Sequence, residues 1–176
     1  MTLELGSEAP DFSLRGVDGR EHTLASYDDA ALLVLIQSCN HCPYVLAWAG
    51  RMIELQGDYA ARGERLVAFN SNDASRYAED SFERMVTHSR EEGFNFDYLH
   101  DPEQLLAHSL GAQRTPEVFL FDRERTLVYH GAIDDNRDDS AVGRHYLRDA
   151  LDAALAGEAP ALPDTAAVGC TVKWLA

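Results

Sequence analysis

The chain is short of positive charge: fifteen basic residues stand against thirty acidic ones among 176, a formal net charge of −15. A field of that sign repels nucleic acid and anionic membrane, so neither is expected as a partner. No apolar run approaches the roughly 20 residues that a membrane helix needs. The first residues, MTLELGSEAPDF, have neither a basic start nor an apolar segment, so no signal peptide is read there and a cytoplasmic location is expected. Long internal repeats and low-complexity segments are absent. Asp134, Asp135, Asp138, Asp139, Asp149 and Asp152 lack the spacing of a calcium loop and read as a loop and the outer face of a helix. Cysteine is scarce, with only Cys39, Cys42 and Cys170. In a reducing compartment structural disulfides are rare, and paired cysteines more often serve catalysis or bind metal.

What is present is a regular alternation of strand and helix patterns. Two short alternating runs flank Val17-Asp18-Gly19, a hairpin signal. The run AALLVLI at 30–36 reads as a strand buried on both faces. After Pro43, the residues Val45, Trp48, Met52, Leu55 and Tyr59 recur on one face of a helix. RLVAFN at 65–70 reads as a second buried strand, and 79–93 as an amphipathic helix closing at Gly93. A short strand is expected at 96–101 and a helix at 102–111, with Pro at its start and Gly at its end. Strands at 117–122 and 126–133 read as an antiparallel hairpin, 142–156 as a closing helix, and 159–169 as a surface tail. This order implies an α/β fold, a mixed central sheet with helices on both faces, within a single domain spanning 1–176. Residues 1–28 read as an N-terminal hairpin extension and 157–176 as a C-terminal tail.

The chemistry centres on SCNHCPY at 38–44. Cys39 and Cys42, with two residues between them, could be a redox couple, half of a metal site, or two buried thiols. They fall where a buried strand gives way to a helix, beyond the carboxyl end of the strand, where α/β sheets place their sites. The amides and partial positive charge of a helix N-terminus favour an anion, which for cysteine is the thiolate. The expectation is an outer, acidified Cys39 that attacks a disulfide and a less exposed Cys42 that resolves the mixed disulfide. His41 could tune the pair or could be a solvent-exposed loop residue. Glu117 could accept a proton from Cys42. A metal site could draw on Cys39, Cys42, Cys170 and a histidine, but no second CxxC or HxxxH accompanies them, and no metal or cofactor is expected. Cys170 reads either as a small hydrophobe or as a third redox thiol.

Four segments, APDFSL, CNHCPYV, TPEVFLFD and GCTVKW, give the chain a further resemblance. It resembles the thioredoxin-like superfamily, in particular a bacterial thioredoxin-family branch grouped with the alkyl hydroperoxide reductase/thiol-specific antioxidant (AhpC/TSA, peroxiredoxin-like) proteins. The resemblance implies a thioredoxin-like fold with Cys39 as nucleophile and Cys42 as resolving thiol. It implies a cis-proline at Pro116, with the backbone of Thr115 pairing with an incoming peptide. The implied activity is thiol–disulfide exchange on protein or small-molecule disulfides, with an unidentified thiol reductant. The alternative is an antioxidant thiol peroxidase acting on hydroperoxides through Cys39. Two departures stand out. Ser38 occupies the place of the tryptophan that precedes the first cysteine in thioredoxins. Ile36 and Leu32 occupy the places of the hydroxyl residue and proline that precede the peroxidatic cysteine in peroxiredoxins.

Overall fold

The computed structural model describes residues 1–176. Its central sheet is built from β1 (Ser13–Gly16), β2 (Glu21–Thr23), β3 (Leu32–Ser38), β4 (Glu64–Asn70), β5 (Asp97–His100), β7 (Glu117–Phe121) and β8 (Leu127–Gly131). The helices are α1 (Pro43–Tyr59), α2 (Phe82–Glu92), α3 (Leu105–Leu110) and α4 (Tyr146–Leu155). Two short strands, β6 (Arg114–Thr115) and β9 (Cys170–Thr171), form a separate ladder. The strand order in the main sheet is β2-β1-β5-β4-β3-β7-β8. The pairs β3–β4 and β4–β5 are parallel, whereas β3–β7 and β7–β8 are antiparallel, which makes the sheet mixed. The N-terminal hairpin is not an appendage, because β1 pairs with β5 and carries the hairpin into the main sheet.

The two faces of β3 are both covered, and its period-2 alternation sorts them. Leu32, Val34 and Ile36 join a core with Trp48, Met52, Leu55 and Tyr59 of α1, Met85 of α2 and Leu147 and Leu151 of α4. Leu33 and Leu35 join a second core with Leu106 and Leu110 of α3, together with Phe12, Tyr27 and Phe119. Burying each such side chain contributes on the order of 1.5–3 kcal/mol. Two continuous cores on opposite faces therefore hold β3 rigidly, and the segment that follows it starts from a fixed point.

Helix α1 begins at Pro43, whose locked φ and missing N–H suit the first helical position. Its first turn consequently stands directly after Cys42. Helix α2 starts three residues later than the sequence pattern suggests. Ser81 caps it, its Oγ accepting from the Arg84 amide at 3.3 Å. Residues 78–80 form a 3₁₀ turn that buries Asp80 completely. The tail is not a simple surface strap. Asp164 bridges to His130, and Thr165 accepts from the Ala132 amide and packs on Gly131. Asp134, expected on an outer loop, is buried and receives Arg51 Nη1 at 2.6 Å and Trp48 Nε1 at 2.8 Å. No helix is long and apolar enough to cross a membrane.

Candidate active site

Strand β3 ends at Ser38, a single turn follows, and Cys42 is the N-cap of α1. That turn folds both sulfurs against the segment between α3 and β7. Cys39 Sγ lies 3.8 Å from Thr115 Oγ1, and Cys42 Sγ lies 3.4 Å from the Thr115 carbonyl oxygen. The Thr115–Pro116 peptide bond is cis. Cys39, Cys42 and Val45 form a small apolar cluster, with Tyr44 and Cys170 packed against it. All three cysteines are free thiols.

The expected asymmetry of the pair is corrected by this geometry. The sequence implies an outer Cys39 and an inner Cys42, yet each is only 1% exposed. Because the helix starts at Pro43, Cys42 rather than Cys39 occupies the helix end. The Cys42 thiol is pushed down to about 4, first by its hydrogen bond with Cys39, and further by the Cys170 thiol, the Val45 amide and Thr115, which together outweigh burial. Cys39 is held well above the ordinary thiol range by the same bond to Cys42, by burial and by the Asp80 carboxylate. The pair thus holds one proton tightly and one loosely.

A polar network behind Cys39 was not read from the sequence. Asp80 Oδ1 accepts from the Asn40 amide at 2.8 Å and from Asn70 Nδ2 at 3.2 Å, and its Oδ2 accepts from Asn72 Nδ2 at 2.9 Å. Tyr98 donates its hydroxyl to Asn40 Oδ1 at 2.7 Å. This network fixes the Cys39–Cys42 turn through the Asn40 backbone. Its only sequence trace is the polar stretch NSND, which begins at the last residue of a buried strand. His41, about one-third exposed, stacks on Tyr77 and places Nδ1 2.7 Å from Asp80 Oδ2, off the line of a straight hydrogen bond. Cys39, His41 and Asp80 bring their ligand atoms within 4.8 Å of one another. The Asp80 oxygens are, however, already engaged by amide donors. The cluster also omits Cys42 and Cys170, so it differs from the four-residue metal set weighed from the sequence.

Two further expectations are revised. Glu117 does not serve the cysteines: its Oε2 accepts from the Gln113 and Arg114 amides at 2.6 and 2.8 Å, and its Oε1 meets His130 Nε2 at 2.7 Å. Oε2 is spent holding the loop that leads into Thr115, and Oε1 is spent on His130 of β8. Nor is the Thr115 backbone open to an incoming peptide, because β9 already pairs with it, with Cys170 opposite Thr115 and Thr171 opposite Arg114.

Comparison with known proteins accords with this geometry. Residues 5–130 match the AhpC/TSA family. The chain belongs to that family. Among curated proteins, this AhpC/TSA member is similar to a thiol-disulfide oxidoreductase ResA from Geobacillus thermodenitrificans, 27% identical over 123 residues. That match covers 69% of the chain but 65% of the relative, just under two thirds of its length. Among solved structures, it is similar over its whole length to a hypothetical protein from Sinorhizobium meliloti 1021, with 39% identity, 97% of that chain covered and a TM-score of 0.94. A peroxidoxin, BcpB from Mycobacterium tuberculosis, shares the fold at a TM-score of 0.61 and 17% identity, covering 72% of this chain and 83% of that one. The fold is thioredoxin-like, as the resemblance implied.

Proposed function

We propose that this AhpC/TSA protein is a thiol–disulfide oxidoreductase whose working couple is Cys39–Cys42. The observation that carries the reading is the pair itself: two buried thiols packed in one cluster, both against Thr115 beside the cis-Pro116. When a proton passes from Cys39 to Cys42, Cys39 becomes the thiolate. It attacks one sulfur of a substrate disulfide, and the other substrate sulfur leaves as a thiolate. Cys42 then attacks Cys39 Sγ in the mixed disulfide, releasing the second substrate thiol and leaving the pair oxidised by two electrons. An external thiol reductant restores the dithiol. Substrate reaches the sulfurs only once β9 lifts from Thr115; Thr115 and Pro116 then form the wall on which the substrate sulfur is presented, and His41 with Asp80 braces the turn from behind. The reading requires no metal or cofactor.

Reduction of a protein disulfide, followed for the wild type, Cys39→Ser and Cys42→Ser, tests the reading. Both variants should lose turnover, and Cys42→Ser should accumulate a mixed disulfide on Cys39. Trapping on Cys42 in the Cys39→Ser variant instead would reverse the assigned order, and full activity in both variants would end the proposal.

The family match favours one second reading, a thiol peroxidase, in which Cys39 becomes a sulfenic acid and condenses with Cys42, releasing water. Ile36 and Leu32 are apolar and fully packed inside β3, so neither offers a hydroxyl to a peroxide. Stopped-flow oxidation by hydrogen peroxide separates the two readings. A rate no faster than that of free cysteine supports exchange chemistry.

A further inference from the structure

The segment around Cys170 is laid out like a bound peptide. It runs antiparallel along β6, the short edge beside the two sulfurs. The Val172 amide donates to the Gln113 carbonyl at 3.1 Å, and Thr115 Oγ1 donates to the Cys170 carbonyl at 3.5 Å. Strand addition of this kind is how many folds receive an extended peptide. Gly169 presses against the Thr115 carbonyl so closely that a Cβ has no room. Beyond the strand, the Lys173 carbonyl accepts from the Asp73 amide at 2.8 Å and from Gln104 Nε2 at 3.0 Å. Trp174 stacks on His108 with ring centroids 4.6 Å apart. The tail is thus clamped on both sides of Cys170, whose side chain packs into the Cys39–Cys42–Val45 cluster.

We infer that Cys170 is a third redox thiol, held by β9 as a tethered substrate on the Thr115 edge, and that it exchanges with the oxidised Cys39–Cys42 pair. The inference rests on the exchange chemistry proposed above. The Cys170 thiolate attacks Cys42 Sγ. The Cys39–Cys42 bond breaks as the Cys42–Cys170 bond forms, and Cys39 leaves as the thiolate, taking up the proton that Cys170 gave. No net oxidation occurs, so the step needs no further reagent. Its product stores the two oxidising equivalents under the tail and leaves Cys39 free. In the same docked state the tail denies the Thr115 edge to an outside peptide, so substrate access and internal exchange compete for one strand position.

Disulfide mapping tests this. The full-length reduced protein is oxidised with one equivalent of diamide, quenched in acid and analysed by peptide mass spectrometry. The wild type should yield the Cys42–Cys170 linkage beside Cys39–Cys42. Cys39→Ser should form an intramolecular Cys42–Cys170 disulfide as a monomer. Gly169→Ala should form Cys39–Cys42 normally but Cys42–Cys170 about tenfold more slowly or worse, since an undocked tail falls back to the effective concentration of a flexible linker. Two free thiols or only intermolecular dimers in Cys39→Ser overturn the inference, and so does an unimpaired Cys42–Cys170 yield in Gly169→Ala. Cys170→Ser is the separating control: if it cannot form Cys39–Cys42, the exchange reading itself fails, whatever the tail does.

Discussion

Glu64 offers a sharp test of how this molecule spends stability. It is the first residue of β4, paired across from Leu32, fully buried, and neither carboxyl oxygen has a hydrogen-bond partner. Burial pushes its carboxyl from 4.5 up to about 8, with Arg65 opposing only in part. The folded protein therefore keeps Glu64 protonated at neutral pH, while the unfolded chain ionises it. The sign follows: a raised folded value means stability that is complete below 4.5 and falls as pH rises through about 8. At 1.36 kcal/mol per pKa unit the loss is about 3 kcal/mol at pH 7 and approaches about 5 kcal/mol above pH 8. Glu64→Gln keeps the shape and the buried polar atoms but cannot ionise. Its advantage over the wild type, measured by urea unfolding, should be under about 1 kcal/mol at pH 5 and about 3 kcal/mol at pH 7, with the m-value unchanged. For a chain of this size that is roughly 6–12 °C in Tm at neutral pH. An advantage that stays flat between pH 5 and pH 8 would refute the reasoning, because it would mean that the carboxylate is ionised or solvated in the fold.

The remaining expectations concern the site and its supports. Titration of the reduced protein by thiolate absorbance near 240 nm should show one thiolate appearing with a midpoint near 4 and a second only well into the alkaline range, and Cys42→Ser should abolish the acidic step. Arg51→Met should cost about 3–5 kcal/mol in denaturant unfolding, since it strands the buried Asp134 carboxylate, whereas Arg51→Met with Asp134→Leu should recover most of that loss. His130 loses basicity to burial but regains more from its bonds to Glu117 and Asp164, so its folded pKa is raised. The stabilisation it provides is complete below 6.5 and is lost as pH rises through its folded value. Proton NMR should show His130 titrating above the ordinary histidine range in the wild type and closer to it in Asp164→Asn.

Patterns of short period were well recorded in the sequence. The run at 30–36 supplies most of β3, which begins two residues later at Leu32 and runs on to Ser38, because an unbroken apolar stretch suits a strand covered twice; the residues read as the inner face of α1 are all buried. The elements that sequence bounded poorly are those ended by a single polar contact, such as α2, where Ser81 caps the helix and turns Asp80 inward. In the site, the two cysteines, Thr115 and Pro116 come together because strand ends and helix starts are local signals. The partners of Asp80 and of Glu117 were not legible: a carboxylate looks the same in sequence whether it faces water or, as Asp80 does, three amides. Cys170 was ambiguous for a different reason. Its pairing with Thr115 is a two-residue ladder closed across 55 residues, with no periodicity to betray it.

The cover over the sulfurs is supplied by a strand far along the chain from them. Cys170 is made 128 residues after Cys42. At the usual 5–20 residues per second, roughly 6–26 s of synthesis separate the two. For that interval a growing chain carries its dithiol without the strand that later lies across it, so an early encounter with a cellular disulfide would be recorded before the cap is in place.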